Sequence, residues 1–529
     1  MKHAWLLLHA LLPLTAEMLH NGIVIETPWP PRGTALPDAT KPPPYLASPP
    51  RTIPVDVGRQ LFVDDFLIEQ TTLSRVFHKP DYHPANPVLR PDRPWESETP
   101  EQGASPTAMP YSDGVWFDPK DGLFKLWYMC GYGGATCYAE SRDGVKWSKP
   151  DLDVRRGTNV VIGDPRGSTT VWLDHDEKDP DRRFKFLTPS GGDNENQILR
   201  FSRDGIHWSS PVRGNGMSGD RSTFFFNPFR NVWVFSIKMR VAGARARQYR
   251  ESGDVVAGAS WRKDEPVPWA GADRLDPPRA DLAVTPQLYN LDATPYESIL
   301  LGLFAFWRGQ PDNRPKPNEL HLGYSRDGFH WQRPDRTPFL APSERRGDWN
   351  WGNIQSAGGG LLIAGDKLYF YVSGRAGEAA NGSSGVCSTG LATLRRDGFA
   401  SMRASGSPGV LTTRPLTFTG RHLFVNASAP RGEIRVEALD EDGRTLAGYS
   451  KERCIPVRGD ATMARVQWKD KASLNGLDGR RVRFRFHVSN GDLFSFWVSR
   501  EASGASRGYA AAGGPGFAGA RDGDGLETR

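Results

Sequence analysis

A ten-residue box recurs along this chain, and its spacing restricts the possible folds more than any other feature. It reads SRDGVKWSKP at 141–150, SRDGIHWSSP at 202–211 and SRDGFHWQRP at 325–334, with a worn copy, RRDGFASMRA, at 395–404. The first two copies lie 61 residues apart, the next gap is 123 and the last is 70. The long gap leaves room for a copy near residue 263. There SWRKDEPVPW keeps two Trp and an Asp but lacks the Asp-Gly turn. Five units of about 60 residues follow, and a fixed period of this size marks a repeat architecture.

The chemistry of the box is that of a turn. Asp-Gly supplies the positive-φ residues of a tight hairpin, and the Ser and Asp side chains can bond back to turn amides. The Trp three residues after the Gly can fold over the turn and pack between units. The box therefore reads as structural rather than as a binding site. Each box follows short aromatic and β-branched runs broken by Gly, Asp, Asn and Pro, such as DGVWFD, GLFKLWYM and TCYAES in unit one. Four strands per unit and five units give a five-bladed β-propeller. After about residue 410 the boxes stop and alternating strands continue, which reads as a small β-sandwich. The expected fold class is all-β.

The rest of the chain divides by composition. Residues 1–22 resemble a secretory signal peptide, with one Lys, an apolar run and small residues, so the protein is expected to be secreted or periplasmic. Residues 23–55 are Pro-rich and read as an extended linker. The run RQLFVDDFLIEQ at 59–70 reads as a strand that pairs with the last blade or crosses the propeller before blade one. The propeller is expected over 56–408 and the sandwich over 409–500. The Gly- and Ala-rich tail, 501–529, is expected to be disordered. The formal net charge is +6, without a run of Lys and Arg to suggest a nucleic-acid arm. No apolar stretch is long enough to span a membrane. Cys130 and Cys137 flank the loop GYGGAT, where an exported protein could form a disulfide; two buried free thiols are the preferred reading. No pattern requires a metal or cofactor.

The runs LFVDDFLIE, LSRVFHKPDYHPANPVLRPDRPWE, DPKDGLFKLWY, GDRSTFFFNPFRNVWVFS and PYESILLGLF resemble bacterial proteins described as glycoside hydrolase family 32-like. In that group a five-bladed propeller of the arabinanase, levansucrase and invertase type precedes a β-sandwich. The resemblance spans roughly residues 56–500 and implies an oligo- or polysaccharide partner and O-glycosyl hydrolysis, or glycan binding without cleavage. The family's WMNDPNG, RDP and EC motifs are absent, so fructan specificity is not implied. The resemblance also places the site at the axial end where the innermost strands begin.

Aligning the blades on the turn after the inner strand puts Asp118, Asp174, Asn227 and Asp292 at the far end. Seven positions earlier come Tyr111, Gly167, Asp220 and Thr285. Asp220 is then the first candidate for a catalytic carboxylate. Glycoside cleavage needs a second, and Glu96 and Glu319 fall on the same side in this register, with Glu297 nearer the far turn. The rim loops bring Arg245, Arg247, Arg250, Arg308, Arg314 and Arg375, to which Arg221 is added. GDWNWGN contributes Trp349 and Trp351. Arg forks bind carboxylates and sulfates bidentately, so an acidic or sulfated glycan is the expected ligand.

Overall fold

The computed structural model describes residues 16–98, 105–189, 196–311, 315–377 and 384–525. It is an all-β protein built on a five-bladed propeller. Blade one pairs Ala108–Met109 and Val115–Asp118 with Leu123–Cys130, followed by Ala135–Ser141 and Val160–Ile162. Blade two is Thr170–Leu173, Phe184–Pro189, Gln197–Ser202 and Val212–Arg213. Blade three is Thr223–Asn227, Val232–Val241, Ala244–Ser252 and Val267–Ala270. Blade four is Gln287–Glu297, Ile299–Trp307 and Asn318–Ser325, with single bridges from Leu320 to Leu340 and Tyr324 to Gln332 at its outer edge. Blade five is Asn353–Ala364, Lys367–Arg375 and Cys387–Arg395, and its outer strand, Asp81–Tyr82, comes from ahead of blade one. A strand from the other end of the chain thus completes the last blade and ties the ring closed. Inner strands such as Val115–Asp118 and Thr170–Leu173 are buried along their whole length because neighbouring blades cover both faces.

The boxes are the wedges between blades. In each intact copy the Ser Oγ accepts the Gly amide, at 2.9 Å for Ser141, 2.8 Å for Ser202 and 3.0 Å for Ser325. Oδ1 of Asp143, Asp204 and Asp327 accepts the amides two and three residues on. An aromatic side chain of the preceding blade then donates to the box backbone. Tyr371 reaches the Gly144 carbonyl, Trp127 the Gly205 carbonyl at 2.7 Å, and Trp269 the Phe329 carbonyl at 2.8 Å. Ser141, Ser202 and Ser325 pair with Phe124, Phe184 and Leu300, beside the far-end turns, so these copies share one face.

The second unit is a nine-stranded antiparallel sheet. Its centre is Gly409–Thr413, Arg483–Ser489, His422–Leu439 and Gly491–Ser499, and Ala400–Ala404 from the worn box extends it. The run 59–70 does not join blade five. Gln60–Leu61 and Ile68–Thr71 lie in this sheet, against Gly491–Ser499 and Gly409–Thr413. Its apolar residues Phe62 and Phe66 are drawn there by a core containing Phe484, Phe486 and Phe496.

Three further expectations change. The Pro-rich stretch is not an extended linker: Ile25, Tyr45 and Ile53 are buried, and Tyr45 meets Phe66 with ring centroids 6.1 Å apart. Apolar residues between the prolines give it something to bury. Of the expected leader, residues 1–15 lie outside the described residues, and Glu17–Met18 pairs with Val24–Ile25. The tail is ordered through residue 525. Tyr509–Ala510 pairs with the end of blade four's inner strand, Ala512 donates to Leu361 of blade five, and Phe117 of blade one donates to Ala512. Small residues permit this approach. A Cβ on Gly514 would sit 1.8 Å from the Ile363 carbonyl oxygen. Finally, Cys130 and Cys137 are joined in a disulfide, their Cα atoms 5.7 Å apart across the blade-one hairpin, while Cys387 and Cys454 are free and buried.

Candidate binding site at the propeller axis

The inner strands of all five blades are tied together at the end where they begin. Tyr111 donates its amide to Ser373 Oγ at 2.7 Å, and Arg221 donates its amide to Ser168 Oγ at 2.9 Å. Asp292 Oδ2 accepts from Ser112 at 3.0 Å and from Ser356, and Asn290 donates to Ser112 at 2.9 Å. Asp113 is paired with Arg166 at 2.7 Å and accepts from Thr169. This corrects the register of blade four. Its inner strand runs to Glu297, so Asp292 lies within the strand at the axis instead of at the far turn. The residue seven positions before the turn is then Asn290, and Thr285 lies outside the strand. The cause is strand length: blade four's inner strand has 11 residues, against 4 or 5 in blades two and three.

On this ring sits a layer of tyrosines and cations. The Arg221 guanidinium carbon lies 4.5 Å from the Tyr111 ring centroid and 5.8 Å from that of Tyr289. Arg375 is 5.5 Å from both Tyr111 and Tyr132, Lys316 is 5.2 Å from Tyr289, and Arg245 is 5.4 Å from Tyr289. Cation–π contact holds the layer together. The hydroxyls of Tyr111 and Tyr132 accept from Arg375 at 2.6 and 3.4 Å, and that of Tyr289 accepts from Lys316 at 3.2 Å. Arg247 is fully buried and donates to the carbonyls of Arg221 and Tyr289. Burial, and then the charge of Arg221, push its pKa down to about 9. The charge of Arg375 lowers the Tyr132 phenol. Burial raises the Tyr289 phenol, but Lys316, Arg221 and Arg375 together bring it below its ordinary value.

Asp220 stands at the edge of this layer. Its side chain is 45% exposed and paired with Lys238. Burial raises its pKa, but Lys238, with Arg221 and Arg247, outweighs that and keeps the carboxylate ionised. Beside it on blade three opens a cleft of about 580 Å³, lined by Ser218, Gly219, Lys238, Arg240, Gln248 and Trp261 among others.

The other candidates sit elsewhere. Glu96 is fully buried and caps the turn Pro94–Glu96. It accepts the amides of Asp92 and Arg93 and the Tyr128 hydroxyl, and Lys149 lies 2.6 Å away. Glu319 is buried on blade four's third strand between His321 at 2.8 Å and Arg308 at 3.2 Å. Glu297 lies at the far end, bonded to the Arg59 amide and the Ser506 hydroxyl. Arg308 donates to the Pro277 carbonyl, and Arg250 to its neighbour Glu251, with Glu265 at 3.4 Å. Trp349 packs flat on blade five, where a Cβ on Gly374 would come 2.0 Å from its ring. Trp351 is buried, and Arg314 lies outside the described residues. Of the named cations, Arg221, Arg245, Arg247 and Arg375 meet at the axis. Tyr132 and Lys316 were not singled out because their loops carry no repeat signal, and Tyr289 because the register of its strand was misplaced. Among the described residues no group of three or more His, Cys, Asp or Glu is placed to hold a metal ion, and no helix is long and apolar enough to cross a membrane.

No protein-family model matches the chain, and no curated protein matches it. Several solved structures resemble it. An N-acetylgalactosamine deacetylase from F. plautii, solved with blood group B trisaccharide, is 16% identical over 59% of this chain and 97% of its own, with a TM-score of 0.40. A thermostable family-43 glycoside hydrolase is 11% identical over 57% and 96%, at 0.39. The Bombyx mori family-32 β-fructofuranosidase is 12% identical over 79% and 95%, at 0.37.

Proposed function

We propose that this is a carbohydrate-active protein that takes a saccharide at the axial end of the propeller. The observation that supports this best is the layer itself. Three tyrosine rings stacked with Arg and Lys, beside the partly exposed carboxylate of Asp220, bring aromatic surface and directed hydrogen-bonding groups together at one end of the axis. Apolar and aromatic walls with a few placed polar groups are the usual makeup of a small-ligand site. The cleft on blade three, with Lys238 and Trp261 in its wall, has room for further sugar units. The Cys130–Cys137 disulfide accords with a secreted or periplasmic location.

Recognition is the primary reading, because Glu96, Glu319 and Glu297 are each committed to separate buried networks. The hydrolytic reading rests on Asp220, the candidate carboxylate left partly exposed and ionised; glycoside cleavage needs a second carboxyl group beside it.

A glycan panel scored for both binding and new reducing ends tests this. Binding without cleavage supports recognition. Turnover that disappears in Asp220→Asn, with the melting temperature unchanged, assigns Asp220 as the reacting carboxylate. Neither binding nor turnover across neutral and acidic glycans refutes the proposal.

A further inference from the structure

We infer that the axial site contains a subsite for one anionic substituent of the saccharide, a carboxylate or a sulfate ester, gripped by Arg221. This deepens the glycan reading and rests on it. Arg221 is 3% exposed, yet Nε, Nη1 and Nη2 all lack a hydrogen-bond acceptor. The nearby carboxylates are engaged elsewhere: Asp220 with Lys238, Asp113 with Arg166, and Asp292 with Ser112 and Ser356. Asp220 and Asp113 feel the Arg221 charge without bonding to it, and a buried guanidinium with no hydrogen-bonded acceptor is costly. The residue also sits at φ 66°, a conformation that side-chain-bearing residues seldom adopt. Local turn chemistry does not account for that combination, because the position calls for Gly or Asn rather than Arg.

The surroundings specify the missing partner. The Tyr111 ring lies 4.5 Å and the Tyr289 ring 5.8 Å from the guanidinium carbon, and the three nitrogens are buried, so an acid group enters as neighbouring side chains make way and meets the N–H edge. That edge is a planar fork matched to two oxygens of one acid group. The Tyr289 hydroxyl already accepts from Lys316 and so has its own proton to donate. Arg247 adds a second buried cation directly beneath, donating to the Arg221 carbonyl at 2.8 Å.

The test uses matched ligands and two variants of the full chain. The ligands are a hexuronic-acid oligosaccharide with its carboxyl-reduced analogue, a sulfated oligosaccharide with its desulfated form, and sodium sulfate alone. Arg221→Gly removes the side chain without backbone strain at positive φ. Arg221→Lys keeps the charge and loses the fork. At least one acidic oligosaccharide is expected to bind the wild type about tenfold or more tightly than its neutral analogue, as a charge-assisted bidentate pair implies. Arg221→Gly is expected to erase that preference, weakening the acidic ligand about tenfold more than its neutral analogue. Arg221→Lys is expected to weaken acidic binding severalfold; unchanged affinity there overturns the inference, even if Arg221→Gly does not fold. Equal affinity for acidic and neutral ligands, or a preference that survives in Arg221→Gly, overturns the subsite and leaves the glycan reading standing. Sulfate binding that needs Arg221, with no binding of any oligosaccharide, keeps the anion site and defeats the glycan reading.

Discussion

A phenol that accepts a hydrogen bond from a guanidinium loses its proton more readily, because the cation stabilises the phenolate. Tyr132 is in that position beneath Arg375, and its pKa lies below the ordinary tyrosine value. A spectrophotometric titration of the tyrosinate band is expected to show an early-ionising phenol that moves to higher pH in Arg375→Ala. An unchanged curve would separate Tyr132 from the cationic layer. The worn box gives a second residue-scale case. Its Asp397 has φ 59°, where the intact boxes place positive φ on Gly. It accepts from Arg59 at 3.0 Å, Tyr296 at 2.6 Å and Ser495 at 2.7 Å. Burial raises its pKa, but Arg59 and Arg396 more than reverse this and bring it down to about 2. Since that lies below the unfolded value, the stabilisation is present above roughly pH 4 and lost as pH falls toward 2, amounting to about 2 kcal/mol. Asp397→Asn is expected to flatten the acid limb of a stability-versus-pH curve. Asp397→Ala, which leaves Arg59 with Glu297 and the Thr462 carbonyl, is expected to cost about 1.5–3 kcal/mol.

At the scale of elements, the blades were readable wherever turn chemistry was local. Ser141, Asp143 and Gly144 bond within a few residues of one another, so their geometry is written in four consecutive letters. Blade four escaped this logic because its inner strand is longer and its turn, at Glu297 and Ser298, lacks the Asp of blades one and two. The blade-one hairpin carries the disulfide across its Gly-rich turn. Reduction, or Cys130→Ser with Cys137→Ser, is expected to lower stability by about 2–3 kcal/mol in denaturant unfolding, as loop closure over so few residues implies. No change would mean that the strands already fix the hairpin in the unfolded reference.

For the whole molecule, the tail acts as a closing piece at the far end of the axis. It joins blades one, four and five and supplies Ser506 to the buried Glu297. A chain ending after Ser503 is expected to melt at lower temperature, with at least about 1.5–3 kcal/mol lost from the hydrogen bond to a charged group alone. A melting curve like that of the full chain would return the tail to the disordered state its composition suggested. Composition misled because Gly and Ala bury little surface themselves, yet only small residues fit where Gly508 and Gly514 meet the strand backbone.

The sequence alone determined the five-fold repeat and the all-β class, because turn residues and strand alternation act over a few neighbours. It also carried Asp220 and several of the arginines as candidates, through strand phase and residue type. Which cations converge was decided by tertiary structure. Arg375 meets Tyr111 across 264 residues of chain, and Arg166 reaches Asp113 across 53. Such meetings depend on strand register, in which a shift of one residue sends every side chain to the opposite face. Tertiary contacts likewise commit Glu319 to His321 and Arg308, and Glu96 to a turn cap with Tyr128 and Lys149. Neighbouring letters show a carboxylate near a strand start, whereas the fold decides whether it faces a ligand or caps a turn.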